Sequence, residues 1–385
     1  MIPLVRDTID KDDIDELIGW LKTYPHLTKG KLTIEYEKKW AAWMGTEYAL
    51  FVNSGSSANL LMLYSLIEEG RLNIGDKVVV PTLSWSTDLA PVIQLGLKPI
   101  LCDCNMVDLS IDIGHFERII EEERPEALIL VSVLGLVPQM DKILELCKAN
   151  NIVLLEDSCE SLGSKFQENK IGNFGIMSSF STYFGHHIST IEGGMICTSN
   201  KKTYNILKSI RSHGWDRDLD EDYKKSLRDK YKIGEFESLY KFYHCGFNLR
   251  STDLQAFIGL GQLDKLDSII KARNKNYDLY RNLLKNDFWE PPKSNNSYYI
   301  SNFAYPVISP KRKKIVDALK KNDIAVRPLI CGSLEKQPFW QRNSSKIVLK
   351  NADIVDKYGL YLPNNHQISQ KEIEQICGII NEVIN

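Results

Sequence analysis

Two side chains that could hold a flat heterocyclic ligand each follow a predicted strand. Asp157 comes directly after the apolar segment Ile152–Glu156, and Trp85 comes shortly after Lys77–Pro81. Ligands of open α/β sheets bind at the carboxyl ends of the strands, so both residues would lie at the binding edge. A carboxylate there can pair with a protonated ring nitrogen, and an indole ring offers a flat surface for stacking. The alternatives are that Asp157 caps a following helix and that Trp85 belongs to the core.

A run of small polar residues marks a candidate phosphate site. The segment NSGSSAN, residues 53–59, follows the apolar strand Tyr48–Val52 and precedes a helix predicted to begin at about Ala58. Backbone N–H groups and hydroxyls at a helix N-terminus can bind a phosphate. An ordinary helix cap is the alternative.

Two adjacent histidines, His186 and His187, follow Gly185 in the segment STYFGHHISTIEGGM. Adjacent residues point in different directions, so the two rings seldom share one role. The H-x-x-x-H spacing and the nearby third ligand of a metal site are missing, so no metal is predicted. The structural alternative is one packed histidine and one exposed histidine. Farther along, Asn248 and Arg250 lie in the turn before a predicted helix, where they could reach an anion.

The elements that position these residues alternate along the first 200 residues. Continuous apolar strands separated by helices predict a mostly parallel sheet covered on both faces. A long helix at Asp253–Tyr280 leads into a smaller second part, which gives predicted domains of residues 1–255 and 256–385. The predicted strands are Tyr48–Val52, Lys77–Pro81, Pro99–Cys102, Ala127–Val133, Ile152–Glu156, Met195–Cys197, Asn302–Val307 and Ala325–Pro328.

Composition narrows the class of protein. The chain has 385 residues, 43% hydrophobic and 25% charged, and a net charge of -2, which gives no reason to expect nucleic-acid binding. The start lacks the layout of a signal peptide, and no apolar run reaches membrane-spanning length. The eight cysteines are dispersed, which favours buried free thiols in a reducing compartment. A cytoplasmic enzyme without membrane contact is expected.

Taken in order, these segments resemble the DegT/StrS-type family of nucleotide-sugar aminotransferases and dehydratases. The resemblance runs from TKGKLTIEYEKKWAAWMGTEYALFVNSGSSAN through PTLSWSTDLAPVIQLGLKPILCDCN, EDSCESLGS, the histidine segment and GFNLRSTDLQAFIGLGQL to YGLYLPNN. It implies the fold-type I architecture of aspartate aminotransferase. That is an α/β fold with a mixed, mostly parallel seven-stranded sheet and a smaller C-terminal α/β domain.

The resemblance also implies a cofactor, pyridoxal 5'-phosphate or pyridoxamine 5'-phosphate, and assigns residues to it. Asp157 matches the partner of the pyridine nitrogen, and Trp85 matches the aromatic residue that stacks on the ring. Ser56 and Ser57 match the phosphate-binding turn, with Ser181 as a further phosphate contact. Asn248 matches an asparagine that reaches the phosphate from the neighbouring subunit, which implies a homodimer with shared active sites.

Two positions depart from the aminotransferase pattern. His186 stands where those enzymes carry the lysine that binds the cofactor covalently, and no lysine occurs between Lys170 and Lys201. Glu160 replaces the glutamine usually found three residues after the aspartate. An imidazole cannot hold the cofactor covalently, but it can move protons near neutral pH.

The departure predicts dehydration instead of transamination. Two lysine-free branches of the family are known. The one that uses an iron–sulfur cluster needs clustered cysteines after a segment like Arg211–Asp218, and it is disfavoured because the single Cys245 follows there without a cluster. The other removes the 3-hydroxyl of GDP-4-keto-6-deoxymannose and takes its amine from glutamate. The resemblance therefore implies a nucleotide-diphosphate sugar and glutamate as partners in deoxysugar biosynthesis.

Three residues are candidate contacts of the substrate. Two alternative functions of the protein also remain open. Arg250 and Arg327 could pair with the diphosphate or with the glutamate carboxylate, since guanidinium groups bind such anions in pairs of hydrogen bonds. His213 is placed near the sugar pocket. The alternatives are an aminotransferase that uses a remote lysine and a catalytically inactive sugar-binding relative.

Overall fold

The structure is a computed structural model of the chain, and it describes residues 1–342 and 347–385. The helices are α1 (Lys11–Leu21), α2 (Lys31–Met44), α3 (Gly55–Glu68), α4 (Ser86–Gln94), α5 (Ile113–Glu123), α6 (Met140–Ala149), α7 (Lys201–Arg211), α8 (Glu221–Tyr231), α9 (Asp253–Leu283), α10 (Arg312–Lys321), α11 (Pro338–Gln341), α12 (Lys350–Tyr358) and α13 (Gln370–Ile384). The strands are β1 (Tyr48–Val52), β2 (Lys77–Pro81), β3 (Lys98–Cys102), β4 (Ala127–Val131), β5 (Val153–Asp157), β6 (Lys165–Phe166), β7 (Asn169–Lys170), β8 (Met177–Ser181), β9 (Gly194–Thr198), β10 (Tyr298–Tyr299), β11 (Tyr305–Ile308), β12 (Arg327–Pro328) and β13 (Gly359–Leu362).

A seven-stranded sheet forms the centre of the fold, in the order β1-β9-β8-β5-β4-β2-β3. The strands from β8 to β3 pair in parallel, and β9 is antiparallel to both of its neighbours. The apolar strand β4 is buried along its whole length, as expected for a strand covered on both faces. The predicted α/β fold with a mixed, mostly parallel sheet is confirmed.

One strand of this sheet departs from the apolar pattern and is absent from the sequence prediction. β8 has the sequence MSSFS, and all five of its residues are buried although three are serines. Alternate residues of a strand face the same side. Ser179 and Ser181 therefore share one face, and both reach the site described below.

The C-terminal part contains a second, antiparallel sheet in the order β11-β13-β12. The 31-residue helix α9 leads into this part, and it begins with a capping box in which Thr252 and Gln255 bond to each other's backbone. α9 contacts α1, α2 and α13. The long helix predicted at Asp253–Tyr280 is confirmed, whereas the domain boundary at residues 255/256 falls in its first turn and stays a prediction.

Several observations on the described residues concern metals, membranes and thiols. No helix within residues 1–342 and 347–385 is long and apolar enough to cross a membrane. In the same ranges, no three His, Cys, Asp or Glu side chains are grouped so that they could hold a metal ion. All eight cysteines are unpaired, and five of them are buried. The expectation of buried free thiols thus holds for most of the cysteines, while Cys245 is exposed.

The close packing of α9 on α2 gives a stability prediction. A Cβ atom at Gly259 would lie 2.6 Å from the ring of the buried Tyr36. Gly259→Ala should therefore lower the free energy of unfolding by about 1–3 kcal/mol through overpacking. Gly378→Ala is the matched control, because a Cβ at this exposed position in α13 meets nothing within 4 Å. The control should raise the stability by about 0.5–1 kcal/mol. Urea unfolding of both variants measures the difference, and equal effects would contradict the packing argument.

Candidate active site

Asp157 is the last residue of β5 and lies at the carboxyl edge of the central sheet. It is buried, and no helix follows it directly, so the interpretation as a helix cap is wrong. Its Oδ1 accepts a hydrogen bond of 2.9 Å from the backbone N–H of Cys159, and its Oδ2 accepts one of 2.6 Å from the amide of Asn59. Within the described residues, no lysine or arginine forms an ion pair with this carboxylate. It therefore has negative charge to offer to a ligand.

Asn59 connects Asp157 to a second buried acid, and neither Asn59 nor Asp88 is among the predicted site residues. The Nδ2 of Asn59 also donates to Oδ1 of Asp88 over 3.0 Å, and its Oδ1 accepts a 2.5 Å bond from Ser179. All of these side chains are buried. The sequence did contain a sign of this role, because Asn59 is a polar residue at the start of the apolar run ANLLMLYSLI. Its position one turn into α3 brings it over the end of β5.

The first turn of α3 forms a polar cradle. The helix begins at Gly55, three residues before the predicted start at Ala58, because the Ser54 side chain caps it by accepting from the N–H of Ser57. The Ser56 side chain is exposed, and the Ser57 hydroxyl donates to Asn53 over 2.6 Å. This turn can receive an anion, since the free N–H groups of a helix start carry partial positive charge.

Ser181 lies directly against this turn. A Cβ atom at Gly55 would be 2.9 Å from the Cβ of Ser181 and 3.0 Å from the Sγ of Cys159. The glycine therefore allows β8 and the turn after β5 to approach the helix start closely. As a result, the structure brings the predicted phosphate contacts Ser56, Ser57 and Ser181 to one place.

Trp85 is the residue that precedes α4, and its side chain is 58% exposed. The alternative that it belongs to the core is wrong. β2 ends at Pro81, only four residues before Trp85. Trp85 therefore lies at the same carboxyl edge of the sheet as Asp157. The ring thus has a free surface on which a flat ligand can stack.

His186 is fixed by the same turn that holds Asp157. Its Nδ1 lies 2.8 Å from the carbonyl oxygen of Cys159, and its ring packs against Phe303 with 5.2 Å between centroids. A carbonyl only accepts hydrogen bonds, so Nδ1 carries the proton and the neutral ring leaves Nε2 with a free electron pair. Burial lowers the pKa of His186 to about 4, against the opposing effects of this hydrogen bond and of the Asp157 charge. The neighbouring His187 is completely buried and bonds to Ser301, so it is the packed member of the pair.

A buried arginine of α9 that the sequence analysis missed holds the His186 segment in place. Arg273 donates to the backbone carbonyls of Phe303 (2.8 Å), Asn364 (2.5 Å) and His186 itself (3.3 Å). Burial lowers the pKa of this guanidinium to about 9. It makes no ion pair in the described part of the chain. Arg273 therefore connects the segment between β8 and β9, which contains His186, to the C-terminal part.

Glu160 lies on the other side of the Cys159 turn. One of its oxygens accepts a 2.7 Å bond from the backbone N–H of Leu134. Burial raises the pKa of Glu160 to about 8, and the charge of Asp157 contributes to the rise. The carboxyl group therefore carries a proton at neutral pH. It can donate a hydrogen bond to a ligand, as the amide of a glutamine would.

The C-terminal part reaches this region through β12 and β13. Burial, followed by the charge of Glu160, raises the pKa of Tyr361 to about 12, while Arg327 acts in the opposite direction. Arg327 is exposed and pairs with Tyr361 in the sheet register. The predicted contact Arg327 thus lies next to Tyr361, which is near enough to Glu160 for the Glu160 charge to affect its pKa.

The remaining predicted residues form a group apart from Asp157 and His186, in which Asn248 is exposed and Arg250 and His213 are half-buried. Arg250 donates to Oδ1 of Asn248 over 3.0 Å, and it lies beside the ring of Trp215, which the ring of His213 meets edge-on. Arg250 pairs with Val52 at the end of β1. Within the described residues, this group makes no hydrogen bond to His186 or Asp157. One chain therefore brings together only part of the predicted site.

Comparisons with known proteins agree with this geometry. A model of the DegT/DnrJ/EryC1/StrS aminotransferase family matches residues 7–381. The GDP-4-keto-6-deoxy-D-mannose 3-dehydratase of Yersinia pseudotuberculosis is 32% identical over 389 residues, which cover 98% of this chain and 97% of that protein. A GDP-4-keto-6-deoxymannose-3-dehydratase solved with a trapped PLP-glutamate geminal diamine has a TM-score of 0.89 at 32% identity and covers 99% of this chain and 100% of its own. A mutant of such an enzyme with bound GDP-perosamine has a TM-score of 0.88 at 31% identity and covers 100% of both chains.

The lowered pKa of His186 predicts how stability depends on pH. The unfolded chain protonates this ring near its ordinary value of 6.5, whereas the folded protein resists protonation down to about 4. The contribution to stability is therefore complete above pH 6.5 and is lost as the pH falls toward 4, by at most about 3 kcal/mol. In His186→Asn, whose amide can still donate to Cys159, this loss should be smaller.

Urea unfolding between pH 4 and pH 8 measures this difference. His26→Asn is the control, because His26 is exposed and its removal should leave the wild-type pH dependence. Identical pH profiles for His186→Asn and the wild type would show that His186 titrates normally.

Proposed function

Because this chain belongs to the DegT/DnrJ/EryC1/StrS aminotransferase family, we propose that it is a 3-dehydratase of a nucleotide-linked sugar that works with pyridoxal 5'-phosphate and pyridoxamine 5'-phosphate. It removes the C3 hydroxyl of a 4-keto-6-deoxy sugar, with GDP-4-keto-6-deoxymannose as the proposed substrate. The observation that carries the proposal is His186, which occupies the lysine position and keeps Nε2 free for proton transfer.

The residues at the sheet edge fit the cofactor. Asp157 is a buried carboxylate that no cation of the described chain neutralises, as required of a partner for the pyridine nitrogen. The turn at Ser56 and Ser57, with Ser181 against it, suits the phosphate group. Trp85 offers its ring for stacking, and the protonated Glu160 can donate to a ring oxygen. We assign these residues to noncovalent binding of the cofactor.

The proposed role of His186 is proton transfer. When bound, the cofactor would supply an amine for the 4-keto group of the sugar and a ring that can accept electrons. His186 takes the proton from C4′ of the cofactor through Nε2. The same nitrogen then delivers a proton to the departing 3-hydroxyl, which leaves as water. The lowered pKa of His186 keeps the ring in the neutral form that the first step needs.

Glutamate is proposed as the source of the amine. Over the whole cycle the sugar loses the oxygen of its 3-hydroxyl and gains hydrogen at C3, which is a two-electron reduction. Glutamate is oxidised to 2-oxoglutarate, and its nitrogen leaves as ammonia, so that atoms and electrons balance. The carboxylates of glutamate and the diphosphate of the sugar nucleotide are anions, and we assign Arg327 and Arg250 to them.

The group of Asn248, Arg250 and His213 suggests a homodimer with shared sites. In the described part of its own chain, the Asn248 side chain makes no hydrogen bond to Ser56, Ser57 or Ser181, and it is exposed beside Arg250. We propose that Asn248 reaches the cofactor phosphate of the partner subunit, with Arg250 and His213 near the partner's sugar pocket. Most soluble oligomers are symmetric, so each site of such a dimer would contain residues of both chains.

An aminotransferase that uses another lysine is not favoured by any observation. Lys170 and Lys201 are the nearest lysines in sequence on either side of His186. Lys170 donates to the carbonyl of Trp43 and lies over its ring, and Lys201 pairs with Asp220. Neither therefore stands at the Cys159 turn. The unpaired thiols fit a reducing compartment, so we propose that the reaction takes place in the cytoplasm.

The direct test is an assay of the purified protein with pyridoxal 5'-phosphate, glutamate and GDP-4-keto-6-deoxymannose. The expected product is a sugar nucleotide that has lost the C3 hydroxyl oxygen, formed together with ammonia and 2-oxoglutarate. Mass spectrometry identifies the product. An aminated sugar would reject dehydration in favour of transamination.

Substitutions at His186 test its role in the same assay. His186→Lys should bind the cofactor covalently, as borohydride reduction followed by mass analysis would show, and should lose dehydration. His186→Asn should still bind the cofactor noncovalently but lower the rate by about 10²–10⁴-fold, the usual contribution of a general acid–base. Full activity of His186→Asn would remove His186 from the mechanism.

Shared sites predict that two inactive variants complement each other. In a mixed dimer of His186→Asn and Asn248→Ala, one of the two sites contains only wild-type residues. Random reassortment should then restore about one quarter of the wild-type activity, because about half of the dimers are mixed. Each variant refolded alone is the control. No recovery after exchange, with mixed dimers demonstrated by native mass spectrometry, would place Asn248 in the site of its own chain.

A further inference from the structure

Asp88 is a buried acid that the proposed reaction does not use. It lies in the first turn of α4, three residues after Trp85, and its side chain is 1% exposed. One of its oxygens accepts a hydrogen bond from Asn59, and the other has no partner in the described part of the chain. A buried carboxylate without a cation is costly, so its position beside Asp157 needs an explanation.

The amide of Asn59 brings the two acids together. A single nitrogen donates to Oδ2 of Asp157 over 2.6 Å and to Oδ1 of Asp88 over 3.0 Å. Because they share this donor, the two carboxyl groups lie next to each other, and burial, together with the charge of Asp157, raises the pKa of Asp88. Such a pair is stable only if one of the acids holds a proton, because two ionised carboxyls at this distance repel each other strongly in a buried site.

We infer that Asp88 is a positioning residue for Asp157: it remains a neutral acid and donates its proton to the Asp157 carboxylate, so that the pair presents a single negative charge to the pyridine nitrogen. This inference rests on the proposed function, since it assigns Asp157 to the cofactor. Asp157 then receives hydrogen bonds from Cys159, Asn59 and Asp88. Together they fix the direction in which its remaining electron pair points.

The surroundings of Asp88 identify which acid carries the proton. Burial, and after it the charges of Asp157 and Glu160, raise the pKa of Asp88 well above its ordinary value. The other titratable groups near it are the thiols of Cys159 and Cys331, and burial raises the pKa of both. None of these neighbours in residues 1–342 and 347–385 is a cation that would favour ionisation of Asp88. Asp157, by contrast, already accepts two N–H donors, which stabilise an ionised carboxylate.

An isosteric variant separates a neutral Asp88 from an ionised one. Asparagine has the shape of a protonated aspartate and keeps a donor, so Asp88→Asn should leave the dissociation constant of pyridoxal 5'-phosphate within about 3-fold of the wild type. The absorbance spectrum of the bound cofactor between pH 6 and pH 9 should also be unchanged. Asp88→Ala removes the donor and should weaken binding about 10-fold. Asp157→Asn is the comparison for a true counter-ion and should weaken binding more than 100-fold.

These titrations need no sugar nucleotide, so their outcome is separate from the test of the reaction. Failure of the wild type to bind pyridoxal 5'-phosphate would overturn the proposed function. Normal binding by the wild type, together with a loss in Asp88→Asn as large as in Asp157→Asn, would show that Asp88 is ionised and would overturn only this inference. Wild-type affinity and spectrum in Asp88→Ala would show that Asp88 positions nothing.

The stability of the cofactor-free protein gives a second readout. The folded protein holds a proton on Asp88 that the unfolded chain releases above its ordinary value of 3.8, so stability should fall as the pH rises. Asp88→Asn lacks this loss. Its unfolding midpoint in urea should therefore rise relative to the wild type between pH 5 and pH 8, and a constant difference over that range would contradict a neutral Asp88.

Discussion

The site depends on the backbone of one residue, Cys159. Its N–H donates to Asp157 and its carbonyl accepts from Nδ1 of His186, over 2.9 and 2.8 Å. The proposed partner of the cofactor ring, Asp157, and the proposed proton carrier, His186, are thus held by the same short turn. One hydrogen bond of this turn orients the carboxylate, and the other orients the imidazole. Since the carbonyl can only accept, it also determines which nitrogen of His186 is free. A change in this turn would therefore disturb binding and proton transfer together.

The loss of a lysine from such a site has an electrostatic consequence. A lysine would bring a positive charge next to three buried carboxyl groups, those of Asp88, Asp157 and Glu160. Here the buried cation beside His186 is Arg273, which donates to backbone carbonyls and forms no ion pair in the described part of the chain. The protein compensates by keeping protons on acids, as the raised pKa values of Glu160 and Asp88 indicate. His186 stays neutral for the same reason that these acids do, because burial disfavours charge.

The sequence predicted the elements that follow ordinary patterns and missed those that the site itself modifies. Apolar strands such as β4 and the long helix α9 could be located because burial on both faces and helical caps leave clear patterns. β8 was missed because Ser179 and Ser181 replace apolar residues on the face that serves the site. Asn59 and Arg273 were missed for a related reason: their roles come from partners more than 80 residues away in the chain, which local spacing cannot reveal. Trp85 and Asp157 could be found because each lies at or shortly after the end of an apolar strand, and His186 could be found because it belongs to a recognisable motif.

The contacts of Arg273 have a consequence for how this enzyme can evolve. The hydrogen bonds that the guanidinium makes in the described part of the chain all go to main-chain oxygens, those of His186, Asn302, Phe303 and Asn364. These bonds do not depend on the side chains of the four residues. Mutations that reshape the C-terminal part, including those that adapt it to another nucleotide or sugar, can accumulate without breaking these bonds. The preference for a substrate can therefore change while the Arg273 bonds that hold the His186 segment stay the same. A lineage could exchange the first while inheriting the second intact.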